Sequence, residues 1–281
     1  MPNIRRDLDP GASPLDYYGF ELRRRREEAG LTLGQLGGCV FCTGSLVGQV
    51  ECAKKVPTRD FSERVDAALG TDGFFSGLVG LVLRSQLPHW FQAYAELEAR
   101  ATYISTFQCQ VVYGLLQTEE YARALLGVGH PGEVDEQVAA RMERQRILDR
   151  EVPPALWVVL SEAALHQEVG GREVMRRQLE HLLRFAAHPW VQIQILPFTV
   201  GQHPGIMGAF NLLRFDDDPD LFYTDSYDQS HMTANPQVIR ERSFGYARLQ
   251  ACALSPGDSV ELITRVMEER YGHRPEPDGV A

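Results

Sequence analysis

Five short stripes of apolar residues, each at helical spacing and each bounded by a cap or a breaker, crowd into residues 15–82 and leave that segment almost no choice but a small all-helical unit. In residues 15–30, Tyr18 and Leu22 lie one turn apart. A basic run, Arg23 to Arg26, precedes Glu27 and Glu28, and Gly30 closes the helix. Thr32 is the expected N-cap of a short helix through Cys39 carrying Leu33, Leu36 and Val40. After a break of two or three residues, Thr43 caps a third segment with Leu46, Val47 and Val50, which ends before Lys54-Lys55-Val56-Pro57. A fourth helix is expected over residues 61–69, stopped by Gly70, and a fifth from about Asp72.

Beyond Pro88 the pattern changes character, which places a domain boundary between Gly80 and Pro88. Helices are expected at 90–101, 117–126 and 134–149, the last with Val134, Val138, Met142 and Gln145 stepping by about one turn. The period then shortens to two. Residues 155–160 are rich in strand formers, and Val191-Gln192-Ile193-Gln194-Ile195 alternates strictly, with three branched residues on one face and two amides on the other. A helix over 173–187 separates these strands. Two further strands, 210–215 and 221–227, flank the turn-forming Asp216-Asp217-Asp218-Pro219-Asp220 and predict a hairpin, and helices over 236–253 and 258–271 follow. The expected architecture is α+β overall: an all-α five-helix domain, residues 1–82, then a larger α+β domain, residues 83–270, with a small, largely antiparallel sheet. Residues 271–281 are expected to be a disordered tail.

The 281 residues are 44% hydrophobic and 23% charged, so neither a fibrous nor a disordered chain is expected. No apolar run approaches the roughly 18 residues of a membrane span, and the first residues lack the apolar core of a secretory leader. A cytoplasmic protein is expected. Five cysteines, an odd number spread over this length, suit reduced thiols better than a disulfide framework. The net charge of −10 is distributed unevenly: residues 1–87 hold 11 basic and 11 acidic residues, and residues 88–281 hold 17 and 27. All of the excess acid lies in the second part. Any nucleic-acid contact is therefore expected from the first.

Two short helices joined by a tight turn offer the N-terminus of the second, with small polar residues, to a DNA major groove, while flanking basic residues meet phosphates. By that geometry Thr43, Ser45 and Gln49 are the candidates for base edges, and Lys54, Lys55 and Arg59 for phosphates. Leu22, Arg23, Arg26, Glu27, Gly30, Leu31, Thr32, Leu36, Val47, Val50, Glu51 and Pro57 together resemble the Xre/Cro-type helix-turn-helix units. Further on, the run Gly114-Leu115-Leu116-Gln117-Thr118-Glu119-Glu120-Tyr121-Ala122-Arg123-Ala124-Leu125 is similar to the signature of an uncharacterised domain attached to such units in actinobacterial regulators. So are residues 170–175, Leu196-Pro197-Phe198 and Gly208-Ala209-Phe210. The resemblance implies a cytoplasmic transcription regulator linked to development and secondary metabolism, often encoded beside a small protein that antagonises DNA binding.

The chain departs from that pattern at Arg25, where an apolar residue is usual, at Phe41, which replaces the turn glycine, and at Gly44 and Gly48 in the reading helix. With Gly34, Gly37 and Gly38 this makes five interior glycines, at about 0.8–1 kcal/mol each relative to alanine, or about 4 kcal/mol in all. Two readings stay open: a DNA-binding regulator whose second domain senses a ligand or a small partner protein, and a descendant with a degenerate reader whose second domain binds or transforms a small molecule.

Other constellations are weaker. Trp90, Phe91, Tyr94 and Tyr103 suit a ligand pocket or simple core packing, and His203, in the Gly/Pro-rich loop 201–205, is a further ligand-binding candidate. Cys39, Cys42 and Cys52 are one thiol short of a structural metal site. The acidic run 216–220 lacks the glycine and distal glutamate of a calcium loop. No nucleophile elbow, phosphate-binding glycine loop or paired metal motif is present, so no catalytic residue, metal or cofactor is assigned. The expected partners are DNA and a small antagonist protein or a small-molecule ligand; a homodimer stays open, and no membrane is expected.

Overall fold

The computed structural model describes residues 8–128, 134–226 and 229–272, with residues 89 and 90 described by their backbone only. The chain divides into two compact units, Met1–His89 and Trp90–Ala281.

The first unit consists of α1 (Pro14–Glu28), α2 (Leu33–Cys39), α3 (Gly44–Glu51), α4 (Arg59–Leu69) and α5 (Phe74–Ser85). Side-chain caps start four of them. Ser13, Thr32, Thr43 and Thr58 each accept a backbone N–H from the first turn, and Thr32 forms a full capping box with Gln35. Gly70 ends α4 in the left-handed conformation. The fifth helix has no cap of its own: Asp66, on α4, accepts the Phe75 and Ser76 amides at 2.9 and 2.8 Å and the Thr71 hydroxyl, which locks α4 to α5. Tyr18, Leu22, Leu36, Val47, Val65, Phe75, Val79 and Val82 are fully buried and form the core. Arg25, out of place by pattern, lays its guanidinium 4.3 Å from the Phe74 ring centroid and pairs with Glu21.

The second unit carries α6 (His89–Glu98), β1 (Tyr103–Gln108), α7 (Glu119–Leu126), α8 (Val134–Gln145), β2 (Ala155–Ser161), α9 (Ala163–His166), α10 (Arg172–Ala186), β3 (Val191–Leu196), β4 (Phe210–Arg214), β5 (Leu221–Asp225), β6 (Ser230–Thr233), α11 (Pro236–Cys252) and α12 (Pro256–Tyr271). Short 3₁₀ turns lie at Gly114–Leu116, Arg146–Asp149 and Phe198–Val200. The strand order is β3-β2-β1-β4-β5-β6.

The expectation of a largely antiparallel sheet is corrected here. β1–β2 and β2–β3 pair parallel, β1–β4, β4–β5 and β5–β6 antiparallel, so the sheet is mixed and its halves meet at β1. Each parallel step has helices between its strands, as a crossover requires. The predicted hairpin is β4–β5. One face of the sheet packs Leu156, Val158, Leu160, Val191, Ile193 and Ile195 into a core that also holds Leu179 and Leu182 of α10 and Ile263 of α12. On the other, Phe107, Val159 and Phe222 meet Ile239, Tyr246 and Leu249 of α11. The alternation in residues 191–195 holds: Gln194 faces away from the first core and joins Trp157 Nε1 at 2.9 Å and the Leu254 carbonyl at 2.8 Å. Tyr271, the first residue assigned to the tail, is buried and donates to the Leu165 carbonyl. Residues 273–281 lie outside the described residues.

Candidate nucleic-acid interface and a charged cavity

The reading element is the pair α2 and α3 with its turn. The Cys42 amide bonds the Gly37 carbonyl at 2.8 Å, and Phe41 takes a left-handed conformation (φ 56°) with 83% of its surface exposed. A Cβ on Gly37 would come within 2.8 Å of the Cys42 carbonyl oxygen, and one on Gly44 within 2.8 Å of the Gly34 nitrogen. The two helices touch backbone to backbone at these glycines, so neither position accepts a side chain. Gly34 and Gly38, by contrast, face open space.

A buried ion pair holds the reading helix to α1. Arg26 donates to both oxygens of Glu51, at 2.5 and 2.9 Å, and to the Leu31 carbonyl at 2.8 Å; the paired side chains are 10% and 4% exposed. Arg23 reaches the Glu51 carbonyl at 3.1 Å. The bond to Glu51 is the main reason Arg26 is held above its usual pKa.

Thr43, Ser45 and Gln49 are all exposed at the start and along one side of α3. Thr43 Oγ1 accepts the Leu46 amide at 3.2 Å. Lys54 is exposed and Lys55 half-buried. Arg59 is half-buried and donates to the Ser76 carbonyl at 3.0 Å, which points it toward α5. The five cysteines are free thiols, and burial raises the pKa of Cys42 and Cys109. Among the described residues no cluster of three His, Cys, Asp or Glu side chains could hold a metal.

A cavity of about 580 Å³ opens in the second unit beside β1, α8 and the turn at Gly114–Leu116. Its floor is a buried network. Glu98, fully buried, accepts the Tyr94 hydroxyl at 3.0 Å and the Tyr113 hydroxyl, and pairs with Arg144 Nε at 2.6 Å. Burial first, then the Glu98 charge, holds both phenols well above their usual pKa, and they stay protonated. Tyr94 stacks on Tyr223 at 3.9 Å between ring centroids. The close approach of Arg144 depends on Gly114, where a Cβ would stand 2.6 Å from the guanidinium. Gln117 donates to the Val112 carbonyl and accepts from Arg141 Nη1 at 2.8 Å, and Gln145 donates to the Gly114 and Gln117 carbonyls.

Of the ligand-binding residues expected from sequence, Tyr94 lines this cavity together with Phe91. Tyr103 does not; it opens β1 with the Arg214 guanidinium 5.4 Å from its ring centroid. His203 does not either; it packs on Phe107, and burial lowers its pKa. Trp90 lies outside the residues whose side chains are described. Sequence reasoning missed Glu98, Arg141 and Arg144. The signal was Arg141 and Arg144 continuing the apolar stripe of α8, three residues apart on a face that should have been greasy.

Residues 18–73 match a family described as a helix-turn-helix domain, and residues 91–265 match the model of the domain of unknown function DUF5753. The first unit is thus a helix-turn-helix domain of the kind that DNA-binding regulators carry. The chain belongs to the DUF5753 family, whose model spans more than half of it. No curated protein and no solved structure matches the chain.

Proposed function

We propose that the protein is a sequence-specific, Xre/Cro-type transcription regulator of actinobacterial secondary metabolism, acting in the cytoplasm. In this reading residues 1–82 bind DNA and residues 83–270 sense a ligand or a small partner protein. The observation that carries it is the exposed polar face of α3, Thr43, Ser45 and Gln49, beside exposed Lys54, on a helix clamped by a buried ion pair. Ser45 and Gln49 read base edges; Thr43 caps the helix and keeps a hydroxyl hydrogen for the groove. Lys54, Lys55 and Arg59 serve phosphates, Arg59 after leaving the Ser76 carbonyl. The degenerate-reader alternative rested on five glycines, and the packing at Gly37 and Gly44 supports a working reader by giving two of them a steric purpose.

The test is a mobility shift on the DNA upstream of the protein's own gene. A specific shift is expected, weakened about tenfold or more when Ser45 and Gln49 are both changed to alanine. No specific shift from the intact protein overturns the reading. Replacing Lys54 and Lys55 by alanine should weaken binding to all sequences and lower the salt slope by nearly two, about 0.9 for each phosphate contact. An unchanged slope removes both lysines from the interface.

A further inference from the structure

Three charged side chains line the cavity beside α8, and two of them are accounted for. Arg144 is neutralised by Glu98 at 2.6 Å. Asp225 retains contact with solvent. Arg141 is different. Of its five N–H groups, one bonds Gln117; its Nε is shut off from solvent with no acceptor, and among the described residues no carboxylate lies within ion-pair distance of it. Such a guanidinium costs desolvation that the longer-range charges of Glu98 and Asp225 offset in part, without supplying a hydrogen-bond acceptor among the described residues.

The rest of the lining shows what would repay it. Gln108 and Asn211 are bonded to Thr106 and to each other, so neither serves as the main anchor. Phe91, Val111 and Leu125 are half-buried and apolar. A guanidinium with no directly bonded carboxylate among the described residues faces this wall, and Asp225 in the same lining disfavours a second negative charge. We propose that this cavity binds a small organic monocarboxylate, its carboxylate on the free edge of Arg141 and its hydrocarbon part against Phe91, Val111 and Leu125. The planar fork of a guanidinium matches a carboxylate, and 580 Å³ is within the range of sites for small metabolites. Gly114 and Gln117 belong to the site as positioning residues: the first admits Arg144 and the second orients Arg141.

This site gives the sensor reading a ligand class and rests on that reading for its regulatory role, although occupancy is independent of DNA. The full-length protein, without DNA, is titrated with phenylacetate, its uncharged isostere phenylacetamide and inorganic phosphate, followed by ligand-observed NMR and by melting temperature. Phenylacetate should bind saturably and raise the melting temperature, with phenylacetamide about tenfold weaker or worse and phosphate without effect. Arg141→Gln, which keeps an amide for Gln117, should abolish the preference for phenylacetate and melt, ligand-free, no lower than the wild type. Arg141→Lys should recover part of the preference. Absent phenylacetate binding, equal binding of the amide, displacement by phosphate, or a ligand-free Arg141→Gln protein that melts lower would each overturn the proposal, the last by showing a structural arginine. None of these outcomes bears on the DNA shift, so the two readings fail separately.

Discussion

Glu51 shows how a residue that looks like a surface acid becomes the fulcrum of the first unit. By sequence it is one element of the helix-turn-helix pattern; in the fold it is 3% exposed and takes a two-pronged bond from Arg26. Removing the Glu51 charge leaves the largely buried Arg26 with only Glu27, at 3.3 Å, as a counter-charge among the described residues. Glu51→Gln should therefore destabilise the first unit by about 3–5 kcal/mol, measured by chemical denaturation, and a loss under about 1 kcal/mol would show that water reaches the pair. Asp66 makes a second, pH-dependent case. Burial raises its pKa, but the bonds from Thr71, Phe75 and Ser76 outweigh burial and the net direction is down. A carboxyl depressed on folding stabilises above its unfolded pKa, about 3.9, and loses that contribution as pH falls through the lower folded value. The gap in melting temperature between wild type and Asp66→Asn should hold from pH 7 to 5 and narrow below pH 4. A gap that widens with acid would reverse the sign of the argument.

At the level of elements, α2 and α3 separate two meanings of glycine that composition cannot distinguish. Gly34 and Gly37 stand in the same seven-residue helix, one facing open space and one within 2.8 Å of the neighbouring backbone. Gly34→Ala should stabilise the unit by about 0.5–1 kcal/mol, the ordinary helix-propensity gain. Gly37→Ala should force α2 and α3 apart and cost more than that gain. Thermal melts of the two variants moving in the same direction would rule out the backbone contact. The strand β1 illustrates the converse difficulty. It is central in the sheet and buried on both faces, with Ser105 and Thr106 among its buried residues. Neither an alternating nor a continuous apolar run marks it, because Thr106 is satisfied by Asn211 on β4, more than a hundred residues away.

Across the molecule the dominant feature is the separation of charge: a first part with equal acid and base, and a second with ten more acidic than basic residues. An acidic body beside DNA repels it. The isolated first unit should then bind nonspecific DNA at least as tightly as the full chain at equal ionic strength, measured by fluorescence anisotropy. Markedly weaker binding by the isolated unit would assign the second a direct or dimerising part in the interface. No helix among the described residues is long and apolar enough to cross a membrane.

What the sequence determined by itself is everything governed by neighbours within a turn or two. Thr32, Thr43 and Gly70 marked helix ends because a cap acts on amides three residues away, and residues 191–195 announced a strand because their period is a property of one segment. The family signature at 114–125 was legible as a pattern, though not as a wall of a cavity. The tertiary structure alone decided what depends on distant partners. The sheet became mixed because crossovers put β2 and β3 parallel to β1. Arg25 was tolerated because Phe74 lies beneath it. Arg141 and Arg144, equal in sequence, parted because Glu98 arrives from another helix within reach of only one of them. Electrostatics in a dry interior turn on a few ångströms, and distances between segments are not written along the chain.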